Sequence, residues 1–556
     1  EMQTEGVPPD ALDALDVADQ SGHWQRALRF LRIVRDYVAD DAAPDRAGHA
    51  RRALEARLAD WAANPPVDPV IVAGSTGSRG GTHRLMTAVA ALPEGALVLP
   101  GFDTEMPQRV WDTLDDPLTS EDHPQFRFAA LMRDLGIRAD AVTGWTDTPA
   151  PAPHRGQVLS LALRPAPVTH QWRAEGPALP ALPGAMQDVT LLEAPNPRAE
   201  AVTIALRLRA AAEDGTRAAL VTPDRGLTRQ VAAALDRWGL VADDSAGTPA
   251  PMTPPGRLLR QVAGLIARPL TADALLAALK HPLTHRGIGR GDHLRHTRDL
   301  ELHIRRKGWA HPAPDALRAW GAAAGCADWA GWVAACIGTL HDSAPRPLTE
   351  HVARHVAASE ALVAGAASDD AGALWAEGPG RTVRGVVDDL RTEAAHGTTL
   401  DARDYADLFG AVLAGAEVRD PDAGHPLIRI LGTLEARAMG SELMILAGLN
   451  EGSWPEMPTA DPWLNRAMRA SAGLTLPDRR IGLSAHDFQQ AAGAQEVWLT
   501  RAVKSEDAET VPSRWLNRLT NLLTGLPDRG GPDALAQMRD RGRHWLALGR
   551  GVEAAI

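Results

Sequence analysis

Between Leu427 and Leu516 three short apolar runs, each broken by a turn residue or a cation, restrict what this chain can fold into. Leu427-Ile428-Arg429-Ile430-Leu431 leads into Gly432-Thr433-Leu434-Glu435-Ala436-Arg437. Leu443-Met444-Ile445-Leu446-Ala447 breaks at Gly448-Leu449-Asn450-Glu451-Gly452-Ser453-Trp454-Pro455, and Val497-Trp498-Leu499-Thr500 ends on Arg501 with Lys504 just beyond. Apolar runs of about 4–8 residues bounded by Gly, Asn and Pro read as parallel strands covered on both faces. The ligand crevice of such a sheet lies outside the carboxyl ends of its strands. That position falls to Asn450, Glu451, Trp454, Arg501 and Lys504, which together predict one mixed polar cleft. Beyond it, Ser513 is placed to cap a helix whose first turn carries Arg514.

The pattern begins earlier in the chain. Strand-like runs at 189–192, 218–221 and 240–242 alternate with helical periodicity over 198–212 and 228–235, which again calls for a parallel sheet. From Pro254 to about Ala416 every periodic segment reads as helix: 256–266, 272–279, 294–304, 327–340, 352–364 and 405–413. The simplest topology is one α/β domain, 187–253 plus 426–525, carrying a helical insertion at 254–425. Upstream, residues 1–66 read as helical, with Trp24, Ala27, Leu28, Leu31, Ile33, Val34 and Val38 at helix spacing and a second helix from Arg51 to Trp61. Residues 67–186 hold strands at 70–73 and 97–99 around a helix at 83–92. A Pro-, Ala- and Gly-rich loop or linker follows over 143–183, containing one strand-like run at Val158–Leu163. Residues 526–556 read as a linker in a Gly- and Arg-rich tail.

Strand, glycine loop and helix in succession resemble a phosphate-binding loop, which makes Gly74-Ser75-Thr76-Gly77-Ser78-Arg79-Gly80-Gly81-Thr82 a candidate. That motif needs a lysine directly before the Ser or Thr, to reach the β- and γ-phosphates. Gly81 stands in its place, and the only lysines, Lys280, Lys307 and Lys504, lie elsewhere. The loop therefore reads as a degenerate nucleotide site, or as a residual anion loop built from Arg79 and backbone N–H groups.

Composition narrows the classes further. At 556 residues the chain exceeds one hydrophobic core. Its two cysteines, Cys326 and Cys336, exclude a disulfide framework and a four-thiolate metal site. No apolar run reaches the roughly 18 residues that span a bilayer, and a cytoplasmic protein with no membrane association is expected. The net charge of −12 argues against a surface coated by nucleic acid but leaves room for a local basic channel. Residues 280–307 are the candidate, with Lys280, Arg286, Arg290, Arg295, Arg298, Arg305, Arg306 and Lys307 against Asp292, Asp299 and Glu301. Such a run equally describes an exposed helix face. His281 and His285 are four apart, but Pro282 between them breaks the helix that would make them a metal pair.

The segments Gly432–Arg437, Ala447–Pro455, Leu499–Arg501 and Pro512–Trp515 resemble the last helicase-like motifs of the AddB family, the second subunit of the AddAB helicase-nuclease that processes double-strand DNA ends for recombination. Val70–Ser78, Leu97–Asp103, Leu220–Arg225 and Asp244–Gly247 are similar to the alphaproteobacterial branch and follow in the same order. The resemblance implies a superfamily-1 helicase-like fold with RecA-like parallel-sheet domains. Residues 1–66 would then be 1B-like, 67–186 a degenerate 1A remnant, 187–253 with 426–525 a 2A domain, and 254–425 a 2B-like insertion. It implies an AddA-type helicase-nuclease partner in a heterodimer, and single- and double-stranded DNA ends as ligands. The family's nuclease uses Mg²⁺ held by clustered carboxylates and a lysine, and no Glu-x-Lys or Asp-x-Lys triplet occurs here. Glu1 and Ile556 accordingly read as cuts in a longer protein, with no cofactor of its own in this part and no catalytic residue.

The resemblance also implies roles. Arg501 matches the arginine that in active motors touches the γ-phosphate, with a structural ion pair to Glu435 or Glu451 as the alternative. Arg437, beside Thr433 and Glu435, is open to the same two readings. Trp454 is a candidate stacking platform for single-stranded DNA, or a core residue. Arg286, Arg290, Lys504 and Arg514 complete the candidate strand contacts. Three functions follow: a non-motor subunit that binds and scans one DNA strand, a nucleotide hydrolase whose Walker A motif lies upstream, or a scaffold for the partner.

Overall fold

The computed structural model describes residues 1–15, 22–39, 45–165, 168–340, 344–419 and 424–555. It is α/β, and its contacts divide it into two compact units: residues 1–245 with 423–556, and residues 246–422.

The first unit is organised on a six-stranded, wholly parallel sheet. Its strands are β3 (Val189–Ala194), β4 (Ala218–Val221), β5 (Ala242–Asp244), β6 (His425–Leu431), β7 (Leu443–Leu446) and β8 (Glu496–Ala502), in the spatial order β3-β8-β7-β4-β6-β5. A separate parallel pair, β1 (Val70–Ala73) and β2 (Gly95–Val98), precedes them. The third strand falls two residues later than the apolar run 240–242 suggests. Strands from before and after the helical unit interleave, so neither half of the sheet can close without the other. In the register, Leu431, Val221, Leu446 and Leu499 lie side by side. Consequently Gly432, Thr222 and Ala447 leave the sheet in one row beside Thr500, where β8 runs on to Ala502 along β3. The chain crosses the sheet in one direction through β3, β4 and β5 and returns through β6, β7 and β8, which puts the topological switch between β4 and β7.

Helices complete this unit. The N-terminal helices are Met2–Glu5, Gly22–Ala39 and Arg46–Ala63, the last capped by Asp45, whose carboxylate accepts from the Gly48 amide at 2.7 Å. Of the residues at helix spacing, Leu28 is buried and Ile33 exposed, while the side chains of Val34 and Val38 lie outside the described residues. Helix Pro197–Glu213 follows β3 and helix Arg225–Asp236 follows β4.

Two segments depart from the sequence reading. Val158–Leu163 is not a strand but part of helix Pro153–Ala162, with Val158, Leu159 and Leu161 in the main core beside Leu516 and Leu519. Proline is tolerated in a first helical turn, and Leu and Ala favour helix, so the Pro- and Ala-rich composition hid a packed element rather than a linker. Nor are residues 526–556 a linker. Gly531–Ala554 is one helix on the sheet, with Arg541 donating to the Val189 and Met186 carbonyls. Gly542 permits that approach, because a Cβ there would stand 2.0 Å from the Leu191 carbonyl oxygen.

The second unit is helical, with helices at Pro254–Ala267, Ala272–Lys280, Arg290–Lys307, Pro314–Ala323, Ala327–Leu340, Leu348–Ala364, Glu377–Glu393 and Ala402–Ala414. It starts some residues before the expected insertion, and its last residues, 420–422, lie outside the described ones. Two apolar cores hold it: one around Leu258, Val262 and Trp329, the other around Leu259, Val383, Tyr405 and Phe409. Among the described residues no helix is long and apolar enough to cross a membrane.

Candidate functional site

The row of strand ends is the natural place for a site, and its polar residues do converge there. The Gly448 turn after β7 carries φ +74°, a left-handed value suited to glycine, and sits over Thr222 and Asp224 at the end of β4. Asp224 spends its carboxylate on capping: it accepts from the Gly226 and Leu227 amides at 2.7 and 3.1 Å. Beneath the turn lies Glu200, from the first turn of helix Pro197–Glu213. One carboxylate oxygen accepts from the Gly448 amide at 3.0 Å and from the Thr500 hydroxyl at 2.6 Å. Burial pushes this acid up to about 7, against the lowering effect of those two hydrogen bonds. Glu200 was not foreseen, yet its pattern held a signal: it lies four and eight residues before Ile204 and Leu208, on the buried face of its helix.

Arg501 is as inward as Glu200. Its Nε donates to Asn450 Oδ1 at 2.9 Å, and Nη2 to the Thr510 carbonyl and hydroxyl at 3.0 and 2.9 Å. Its acidic neighbour is Glu193 at 3.9 Å, not Glu435 or Glu451. Burial lowers its pKa from the usual arginine value. Asn450 in turn donates to the Ala502 carbonyl at 3.0 Å. The side chain matched to a γ-phosphate contact thus ties β8 to the turn that follows β7.

Trp454 is not a platform open to bases. It is fully buried, edge-on to Phe488 and Trp515 at ring centroid distances of 6.3 and 6.4 Å. The next peptide bond, Trp454–Pro455, is cis. Glu451 does face the following helix, and there it replaces the expected cap. The Ser513 hydroxyl makes no capping bond, whereas Glu451 Oε1 accepts from the Arg514 amide at 2.6 Å. The same carboxylate grips the Arg514 guanidinium at 3.1 and 2.9 Å.

Gly432–Arg437 is also turned inward. Arg437 pairs with Asp487 of helix Arg479–Ala491, both nearly buried, and the Thr433 hydroxyl bonds the same carboxylate. Burial raises Asp487, while Arg437 and Thr433 pull it down and Glu435 raises it again. Asp487 is the second residue the sequence did not expose.

The loop 74–79 is similarly closed. Gly74 and Gly77 take positive φ values of 77° and 63°, Ser75 accepts from the Gly77 amide at 3.2 Å, and Thr76 is buried. Helix Gly80–Ala90 then begins, but its Gly80 amide donates to Glu5 at 2.8 Å, and Arg479 clasps Glu5 at 3.0 Å. An internal carboxylate fills the place of an anion, which corrects the residual anion loop. Arg79 is exposed at the helix start.

The remaining candidate cations divide. Lys504 is exposed on a two-residue hairpin strand, and Arg286 is exposed between helices. Arg290 instead donates to the Thr284 and His281 carbonyls and pins that turn. His281 and His285 do not share a helix face: His281 ends one helix, and His285 stacks on His293 at 4.9 Å. Among the described residues no group of three or more His, Cys, Asp or Glu is placed to hold a metal ion. No protein-family model matches the chain, and no curated protein matches it.

Proposed function

We propose that this chain is a non-motor, helicase-like subunit of AddB type. It would act in the cytoplasm beside an AddA-type helicase-nuclease, in a complex that prepares broken DNA ends for recombination. Its own task is to hold and scan a single strand. ATP hydrolysis and the Mg²⁺-dependent nuclease chemistry fall to other parts of that complex. The observation that carries the reading is Arg501: with Nε bonded to Asn450, Nη2 to Thr510 and Nη1 beside Glu193, the motif arginine acts as a structural clamp rather than a phosphate contact. The order of the helicase-like motifs supports the family, and the parallel sheet supports a RecA-like core.

The test is a fluorescence titration of a labelled single strand with and without the partner subunit, across salt concentrations, with ATPase assayed alongside. The expected result is binding whose log K falls linearly with log salt, as when several phosphates are neutralised, and no hydrolysis from this chain. ATP turnover that Arg501→Ala abolishes would replace the reading with a hydrolase. Absent binding, with partner assembly intact, would leave a scaffold.

A further inference from the structure

The helical unit carries a groove of about 570 Å³ lined by Arg257, Arg260, Gln261, Ala277, Lys280 and His281, with Pro282 at its end. Two helices build it, each presenting residues three apart on the same side: Arg257 and Arg260 from Pro254–Ala267, Ala277 and Lys280 from Ala272–Lys280. No acid lines it. Arg257 and Arg260 are exposed and make no ion pair or side-chain hydrogen bond among the described residues. Lys280 is held at the rim by Glu301 at 2.5 Å.

Against this stands one opposing effect: the groove lies at the C-terminal end of a helix, where free carbonyls disfavour an anion. Several carbonyls at that end are answered from inside. The Thr284 hydroxyl donates to the Ala278 carbonyl at 2.7 Å, His293 bonds the Leu279 carbonyl at 2.7 Å, and Arg290 bonds the His281 carbonyl at 3.2 Å. Among the described residues the donors of Arg257 and Arg260 are left free.

His281, which lines the groove, holds a further unpartnered donor. The Leu283 amide donates to its Nδ1 at 3.2 Å, so the proton of the neutral ring sits on Nε2, and that N–H is enclosed with no partner. Burial first, then the nearby Arg257 and Arg290 charges, draws its pKa down to about 4, which keeps the ring neutral. A buried N–H without an acceptor is uncommon in folded proteins, and here it belongs to a residue of a groove that already carries three cations.

We propose that this groove is a phosphate-binding site, in which Arg257 and Arg260, with Lys280 at the rim, bind a phosphate group that the protein itself does not supply. The phosphate comes either from a nucleic-acid strand, which rests on the function proposed above, or from a free phosphorylated molecule, which does not.

The experiment titrates the full chain with inorganic phosphate by calorimetry and, separately, with a labelled single-stranded oligonucleotide. It compares the wild type with Arg257→Gln/Arg260→Gln, two exposed positions whose replacement leaves the core intact. Arg391→Gln, on an exposed helix face outside the groove, controls for lost charge. Loss of two charge-assisted contacts predicts phosphate binding weakened at least about tenfold in the double variant and unchanged in the control. If the oligonucleotide weakens in parallel, the source is a nucleic-acid backbone. If phosphate binding is lost but the oligonucleotide is unaffected or never binds, the site stands with a free phosphate ester as its ligand, and strand binding by this groove is excluded. No phosphate binding by the wild type, or equal binding by the double variant, overturns the proposal whatever the oligonucleotide does.

Discussion

The C-terminal edge of the sheet and the groove of the helical unit are both rich in polar side chains, yet they are opposites. At the sheet edge the buried or half-buried charged groups have partners within the same unit: Arg501 has Asn450 and Thr510, Arg437 has Asp487, and Glu451 has Arg514; beyond the separate β1–β2 pair, the Gly80 amide has Glu5. In the groove Arg257, Arg260 and the His281 N–H have none among the described residues. Buried polar groups cost free energy unless paired, so a folded chain answers those it uses for stability. Residue type alone does not separate the two roles; what a side chain already holds does.

Trp454 gives the largest expected break. As a core residue against Phe488 and Trp515, it should cost about 3–5 kcal/mol on truncation in Trp454→Ala, read as a fall in the urea midpoint. Strand affinity per folded molecule should not change. A variant of nearly unchanged midpoint but with affinity reduced by the roughly 1–3 kcal/mol of a lost base stack would return Trp454 to the surface role.

Arg437→Ala comes next. It leaves Asp487 buried without its cation, which should cost about 3–5 kcal/mol. The pair replacement Arg437→Met with Asp487→Leu should recover most of that loss, because apolar side chains of similar volume often substitute for a buried ion pair at little cost. Equal destabilisation by the single and the paired variants would mean that the contact has a role beyond its own charge balance.

These positions also mark how far the sequence could be read. The strands around 218–221, 443–447 and 497–500 were legible because a strand covered on both faces must be apolar along its length, and 427–431, half covered, by its apolar residues around Arg429. Most helices of the second unit were legible by their period, although Pro314–Ala323 and Glu377–Glu393 lay outside the segments named. Helix Pro153–Ala162 was not, since Leu159, Leu161 and Ala162 suit either element and only packing decides. The C-terminal helix was hidden because its contact face includes Gly542 and Gly549, which pack by absence of a side chain. At the site, the types and positions of Arg437, Asn450, Glu451 and Arg501 were plain. Their partners Asp487, Thr510 and Arg514 were not all foreseeable, because a partner some 50 or 60 residues away leaves no local spacing to recognise.

Glu200 tests the sheet edge by pH. Its folded pKa, about 7, stands above the ordinary value of 4.5, so the native state holds a proton that the unfolded chain releases. The stability contribution is therefore complete below about 4.5 and is lost as pH rises through about 7, with a slope of up to about 1.4 kcal/mol per pH unit from this one group. Glu200→Gln keeps an acceptor for the Gly448 amide and the Thr500 hydroxyl but cannot ionise. Its unfolding free energy, measured by urea titration from pH 4.5 to 8, should lack that decline relative to the wild type. Parallel curves would mean that Glu200 shares the edge with a counter-charge strong enough to keep it ionised.

Glu451 carries the smallest effect and the finest distinction, because it lies closest to being both a cap and a ligand group. It accepts the Arg514 amide and both ends of the guanidinium, at the start of helix Arg514–Thr524. Glu451→Gln retains one acceptor for the amide and loses the paired charge, so about 1 kcal/mol is expected. The lost part is electrostatic and half-exposed, so raising the salt to about 1 M should shrink the difference between variant and wild type, since the Debye length there is only about 3 Å. A salt-independent loss would assign the effect to cap geometry alone. Unchanged stability with altered strand affinity would separate Glu451 from its neighbours, as the one polar group at the sheet edge whose partner lies outside the protein.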